Sequence, residues 1–161
     1  MVESTLALAS GEARLTPNQP TDIAALLISL VDETSDAGQT CWYLGPDHIE
    51  TMGHPVSLKR AFRNVIDNAL KYGKAARVSL QAEASRLKIF VEDDGPGIPE
   101  ARMEDVFAPF RRLDPARGHE TVGVGLGLTI ARDVIQSHGG TITLVNRAGG
   151  GLTVVLQIPA R

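Results

Sequence analysis

Asn64-Val65-Ile66-Asp67-Asn68-Ala69-Leu70-Lys71-Tyr72 is the stretch on which the reading of this chain turns. On a wheel at about 100° per residue, Leu58, Ala61, Phe62, Val65, Ile66, Ala69 and Leu70 fill one arc. Lys59, Arg60, Arg63 and Asp67 fill the opposite arc. The pattern predicts an amphipathic helix from near Pro55 to Tyr72, with Gly73 placed to end it. Asn64, Asn68, Lys71 and Tyr72 fall together in a third sector beside the apolar arc. Asparagine is a mediocre helix former, so two at i,i+4 on one edge ask for a reason. A carboxamide oxygen is a neutral, hard ligand that suits Mg²⁺, which keeps several waters and takes its other ligands from phosphates. Lys71, one turn on, can meet phosphate charge, and Tyr72 can pack against a base or ribose. Taken alone, the helix is more simply a surface helix whose asparagines happen to align.

Two glycine-rich segments follow. In residues 87–93, Leu87, Ile89 and Val91 face one way and Lys88, Phe90 and Glu92 the other. Extending that period sends Asp93 toward the core and Asp94 outward. A carboxylate at the end of a buried row needs a partner, and the exocyclic amine of adenine is a suitable donor. Gly95 and Gly97 would let the backbone approach a ring closely, Pro96 would stiffen the turn, and Ile98 closes it. The simpler alternative is a tight turn with a capping aspartate. The second segment is Gly123-Val124-Gly125-Leu126-Gly127-Leu128. Its glycines are expected to open a helix whose N-terminus offers unpaired N–H groups and a positive dipole end to phosphate. A long irregular stretch precedes it in place of a strand, which departs from the dinucleotide-fold pattern. Arg112 and Arg117, in that stretch, are placed to reach a terminal phosphate or to be solvated loop charges. Phe107 and Phe110 are expected to anchor the loop's start in the core.

The chain has 161 residues, 43% of them apolar, which suits one domain with a packed core. A net charge of −3 implies no general attraction to nucleic acid or membrane. The single cysteine, Cys41, excludes an internal disulfide framework and fits a reducing compartment. No apolar run is long enough to span a bilayer. Thr21 or Asp22 is expected to cap a helix through Ile23, Leu26, Leu27, Leu30 and Val31. Short strands are expected at 41–44 and 49–52, around Gly45-Pro46, and further strands at 78–81, 87–92, 141–146 and 152–158. A short helix is expected over 100–106, an aperiodic mobile loop over 108–124, and a helix over 126–137. Trp42 and Cys41 read as core or half-buried. The histidines at 48, 54, 119 and 138 have no metal-ligand spacing. Helices and strands mix without strict alternation, which indicates an α+β two-layer sandwich.

Taken in order, the asparagine helix, Asp93-Asp94-Gly95-Pro96-Gly97, Phe107-Ala108-Pro109-Phe110 and the second glycine segment resemble the ATP-binding catalytic domain of bacterial two-component sensor histidine kinases. The resemblance covers roughly residues 20–160. It implies a Bergerat-type sandwich, with a mixed sheet of about five strands on three helices, binding Mg·ATP beneath a flexible lid. By the family pattern Asn68 matches the Mg²⁺ ligand and Asn64 the second asparagine near metal and phosphates. Lys71 and Tyr72 match nucleotide contacts, and Asp93 the adenine-reading carboxylate, with Gly95, Gly97 and Ile98 along that wall. Gly123, Val124, Gly125, Leu126 and Gly127 match the phosphate-side turn, and 111–122, with Arg112 and Arg117, the lid. Asn64, Lys71, Arg112 and Arg117 are the residues expected to act on the transferring phosphoryl group.

One departure from the family matters. Its phospho-acceptor histidine lies on a dimerising helical hairpin and is followed by an acidic residue and a proline, and none of the four histidines here has that setting. Residues 1–20 are therefore expected to be the end of such a hairpin plus linker, and 21–161 the catalytic domain. The expected partners are the acceptor hairpin and, indirectly, a response regulator, with no nucleic acid. The fragment would be a monomer within a homodimeric kinase, in the cytoplasmic part of an inner-membrane sensor. Hydrolytic relatives with this pocket (gyrase, heat-shock chaperone and mismatch-repair ATPases) carry a glutamate one turn before the metal asparagine. Asn64 stands there and cannot be a general base. A stand-alone serine kinase of the anti-sigma type, or a nucleotide-binding regulatory module, is the alternative.

Overall fold

The computed structural model describes residues 18–104, 107 and 118–160, with 118–126 as backbone alone. Asp22 starts the first helix, α1 (Ile23–Asp36): its Oδ1 accepts from the Ala25 N–H at 3.0 Å, leaving Thr21 buried and donating its hydroxyl to backbone carbonyls of Gln19 and Gly53. Before it runs β1 (Gln19–Asp22), which pairs antiparallel with β3 (Glu50–Gly53) as a two-stranded sheet. This ladder begins at Gln19, inside the stretch expected to be linker. β2 (Thr40–Leu44) does not pair with β3 across Gly45-Pro46. It lies parallel to β4 (Ala75–Ala82) at the edge of a second sheet.

That sheet has five strands. β5 (Arg86–Asp93) pairs antiparallel with β4 and with β7 (Leu152–Pro159), and β6 (Thr141–Asn146) pairs antiparallel with β7, giving the order β2-β4-β5-β7-β6. Period-two alternation buries Leu87, Ile89, Val91 and Asp93 on one face of β5. α1, α2 (Pro55–Gly73) and α3 (Gly118–Ser137) pack their apolar residues there, among them Leu27, Phe62, Ile66, Leu128 and Ile135. Phe62 and Ile89 are 1% and 0% exposed; burying side chains of this size stabilises by about 1.5–3 kcal/mol each. The outer face stays open: Trp42, read as core or half-buried, is 53% exposed.

Three local departures have physical reasons. Gly73 is the last residue of α2, and the left-handed position after it falls to Lys74 (φ 65). Gly73 is needed for close approach, because a Cβ there would overlap the Cβ of Asp93. The expected helix over 100–106 is a single 3₁₀ turn, Glu100–Arg102, among the described residues. Most significant, α3 begins at Gly118, not at Leu126, so 118–124 is helical and not loop, and Gly123, Gly125 and Gly127 lie inside the helix. Once 127–137 is packed, adding a turn needs only one hydrogen bond per residue, and each glycine costs only about 1 kcal/mol against that.

A histidine contact that the sequence did not suggest ties the start of α2 to the end of α3. The His54 N–H donates to Nε2 of His138 at 3.0 Å, and the His138 Nδ1–H donates to the Val134 carbonyl at 2.8 Å. The two rings meet edge to face, centroids 5.2 Å apart. Burial pushes the His138 pKa down, against the Val134 hydrogen bond and with the His54 ring beside it. Stability held by the neutral ring is therefore present above the unfolded value of about 6.5 and is lost as pH falls below it. Urea midpoints should fall more steeply from about pH 7.5 to about pH 5.5 in the wild type than in His138→Phe. That variant should also lose about 1–3 kcal/mol at the upper pH, its His54 N–H having no acceptor. His48, raised by its bond to Asp22, works in the opposite direction in both proteins and cancels in the comparison. Equal slopes would mean that His138 is not held neutral.

Candidate functional site

The site is built along α2. At its C-terminal end Tyr72 and Gly73 lie on the end of β5: a Cβ at Gly95 would come within 2.7 Å of the Tyr72 carbonyl oxygen and 3.0 Å of Asp93 Oδ1. Asp93 is 3% exposed, as the strand period predicts, and Asp94 is exposed. Burial pushes the Asp93 pKa up, while backbone N–H groups of Gly95 and Leu152 favour its ionised form; Gly95 donates to Oδ1 at 2.8 Å. A carboxylate offers about four acceptor sites, so capacity remains for a ligand donor. Asp94 is held well below the usual carboxylate range, first by Arg77 and then by Arg147. Arg77 forks onto both its oxygens at 3.0 and 2.9 Å, and Arg147 reaches Oδ1 at 2.7 Å. Adjacent carboxylates thus have separate duties, one neutralised by arginines in solvent, the other kept in a dry row.

At the other end, Asn64 Nδ2 donates to the Gly127 carbonyl at 3.2 Å, joining α2 to α3. Between these two contacts lies Asn68, 6% exposed, whose buried Oδ1 has no hydrogen-bond partner among the described residues. A buried carbonyl oxygen left unmatched costs about 1–3 kcal/mol, so its retention on a well-packed helix calls for a ligand. Among the described residues no cluster of His, Cys, Asp and Glu could hold a metal ion. The donor type fits Mg²⁺ held by one amide oxygen, with phosphates and water as the other ligands. From Asn64 to Gly73 the helix rises about 13 Å, comparable with an extended nucleoside triphosphate.

The remaining expected residues divide. Lys71 is exposed and Tyr72 half-buried at the same end of α2. Ile98 is 8% exposed and Phe107 likewise. Phe107 is anchored as expected: the Thr129 hydroxyl donates to its carbonyl and the Arg132 guanidinium sits 4.7 Å over its ring. Phe110, Arg112 and Arg117 lie outside the described residues. Gly123, Val124, Gly125 and Leu126 are described as helical backbone, so the expected phosphate-side turn is here the N-terminal half of α3. Asn146, Arg147 and the His54–His138 pair carried no sequence signal, because their partners are remote in the chain.

The model of the family described as histidine kinase-, DNA gyrase B- and HSP90-like ATPase matches residues 53–161. The chain is similar to the sensor histidine kinase GtrS of Pseudomonas aeruginosa, 46% identical over 125 residues, which is 73% of this chain and 26% of that protein. It thus spans about a quarter of that relative's length. Among solved structures it is similar to the histidine kinase domain of the E. coli osmosensor EnvZ, with a TM-score of 0.70, 34% identity and 91% of each chain covered. It is similar also to the ATP-binding domain of PrrB from Mycobacterium tuberculosis, with a TM-score of 0.73, 27% identity, and 89% and 98% of the two chains covered. With the motifs on adjoining elements of a mixed five-stranded sheet and three helices, these matches make the chain a member of the histidine kinase-, DNA gyrase B- and HSP90-like ATPase family, carrying an ATP-binding domain of that fold.

Proposed function

We propose that the domain binds Mg·ATP and donates the γ-phosphoryl group to a histidine on a separate dimerisation helical hairpin, as the catalytic domain of a two-component sensor kinase. The single observation that carries this is the buried Oδ1 of Asn68, without a partner among the described residues, on α2 between the Asn64–Gly127 contact and the Gly73–Asp93 contact. In this reading Asp93 accepts from the adenine amine and Tyr72 packs beside base or ribose. Asn68 and Asn64 hold the metal side, and Lys71, with Arg112 and Arg117, offsets phosphoryl charge. Mg²⁺, when bound, would neutralise charge on the phosphates. The chain's own part is positioning: a buried carboxylate at one end, amides in the middle and helix backbone at the other. The attacking nitrogen comes from the hairpin. The amide of Asn64 cannot activate water, which favours transfer over hydrolysis. The names of the relatives as sensor histidine kinases support the same reading, and with it a response regulator downstream. Among the described residues no helix is long and apolar enough to cross a membrane; we place the domain on the cytoplasmic side of a membrane sensor.

Mixing the chain with a hairpin that carries the acceptor histidine and labelled ATP should label the hairpin, acid-labile and base-stable as a phosphoramidate is. Acid-stable label on this chain instead would favour a serine kinase. Asn68→Ala should weaken Mg²⁺-dependent ATP binding by at least about tenfold while leaving Mg²⁺-independent binding of the base end unchanged, measured by titration with a fluorescent ATP analogue. Wild-type affinity with and without Mg²⁺ would remove Asn68 from the metal.

A further inference from the structure

Asn146 stands at the end of β6, opposite Leu152 of β7, which in turn stands opposite Asp93 of β5. It therefore lies in the same cross-sheet row as the buried carboxylate, two strands away. Its carboxamide closes a two-point bond on the turn that follows β5. Oδ1 accepts from the Ile98 N–H at 2.9 Å, and Nδ2 donates to the Ile98 carbonyl at 2.6 Å. A side-chain amide here does what a neighbouring strand would do: it offers one donor and one acceptor to a single residue's backbone.

The turn needs this. Residues 94–99 form no strand or helix, and within the turn Gly95 N–H donates to the Asp93 carboxylate. Gly97 takes a positive φ of 75, and a Cβ there would come within 2.6 Å of Asn146 Oδ1, so the carboxamide also lies against the turn's left-handed glycine. Next in sequence, Arg147 donates to the Asp93 carbonyl at 3.2 Å and pairs with Asp94, so the β6–β7 connection grips the turn at both ends. Asn146 itself is exposed and contributes nothing to the core.

We propose that Asn146 is a positioning residue for base recognition: it acts through Ile98 to hold the Asp93–Ile98 wall in register with the base. This rests on the nucleotide reading above. A residue in this role changes how the base is discriminated and leaves the metal side alone. Without the amide the turn samples other conformations, and the cost falls on the ligand whose base matches Asp93.

The test is titration of wild type, Asn146→Ala and Asn146→Asp with ATP and with GTP, each with and without Mg²⁺, alongside urea unfolding. Asn146→Ala should bind ATP about tenfold more weakly, the equivalent of the net worth of its bonds. GTP affinity and the Mg²⁺ effect should be nearly unchanged, and the urea midpoint should fall by no more than the loss of those two bonds accounts for. Asn146→Asp keeps the acceptor for Ile98 N–H but sets a carboxylate against the Ile98 carbonyl, so its ATP-to-GTP ratio should fall at least as far. ATP and GTP weakening together, or neither weakening, would overturn the proposal while leaving the nucleotide reading intact. A wild type that binds neither nucleotide would overturn both.

Discussion

The seating of the end of α2 on the end of β5 is the contact on which the site depends. Gly73 has no side chain, so the helix comes down onto Asp93 until backbone and β-carbon are in direct contact. That approach brings Tyr72 and Gly73 to the end of β5 beside the buried carboxylate and leaves Asn64 facing α3 at Gly127. It also explains why Lys74 carries the left-handed conformation at the helix end (φ 65), which glycine adopts more easily. Close packing at a functional position has displaced ideal capping by one residue.

Electrostatics reinforce the same geometry. Arg77 on β4 and Arg147 after β6 both converge on Asp94, with Glu92 near each at 3.8 Å. These pairs are solvent-exposed and individually add little stability. Their consequence is local: they pair Asp94, which the strand period already turns outward, and Arg147 partly offsets the effect of the Asp94 charge on Asp93. The Asn146 carboxamide then fixes the following turn, so both flanks of Asp93 are set by residues from across the sheet.

Much of this was legible in sequence because it is periodic or local. The strand period of residues 87–93 put Asp93 inward, and the helical period of residues 58–72 put Asn68 beside the apolar arc, where it is buried. Asp22 capped its helix as its position implied. What escaped is non-local. Nothing near β1 announces that it pairs with β3, and nothing in Asn146 or His138 announces Ile98 or His54. Residues 118–124 read as loop because glycines permit both loop and helix; packing of the residues after them extends the helix through them. Glycine counts the conformations a segment can reach and does not choose between them.

The central claim is that one ligand spans α2 from Gly127 to Asp93. Backbone and side-chain amide resonances of ¹⁵N-labelled protein, followed during titration with Mg·ADP, test it most directly. The account predicts that the Gly95 amide, the Asn68 side-chain amide and the Gly127 amide shift together along one saturable curve. Shifts confined to a single end of α2, or gathered instead on the outer sheet face around Trp42, would contradict it.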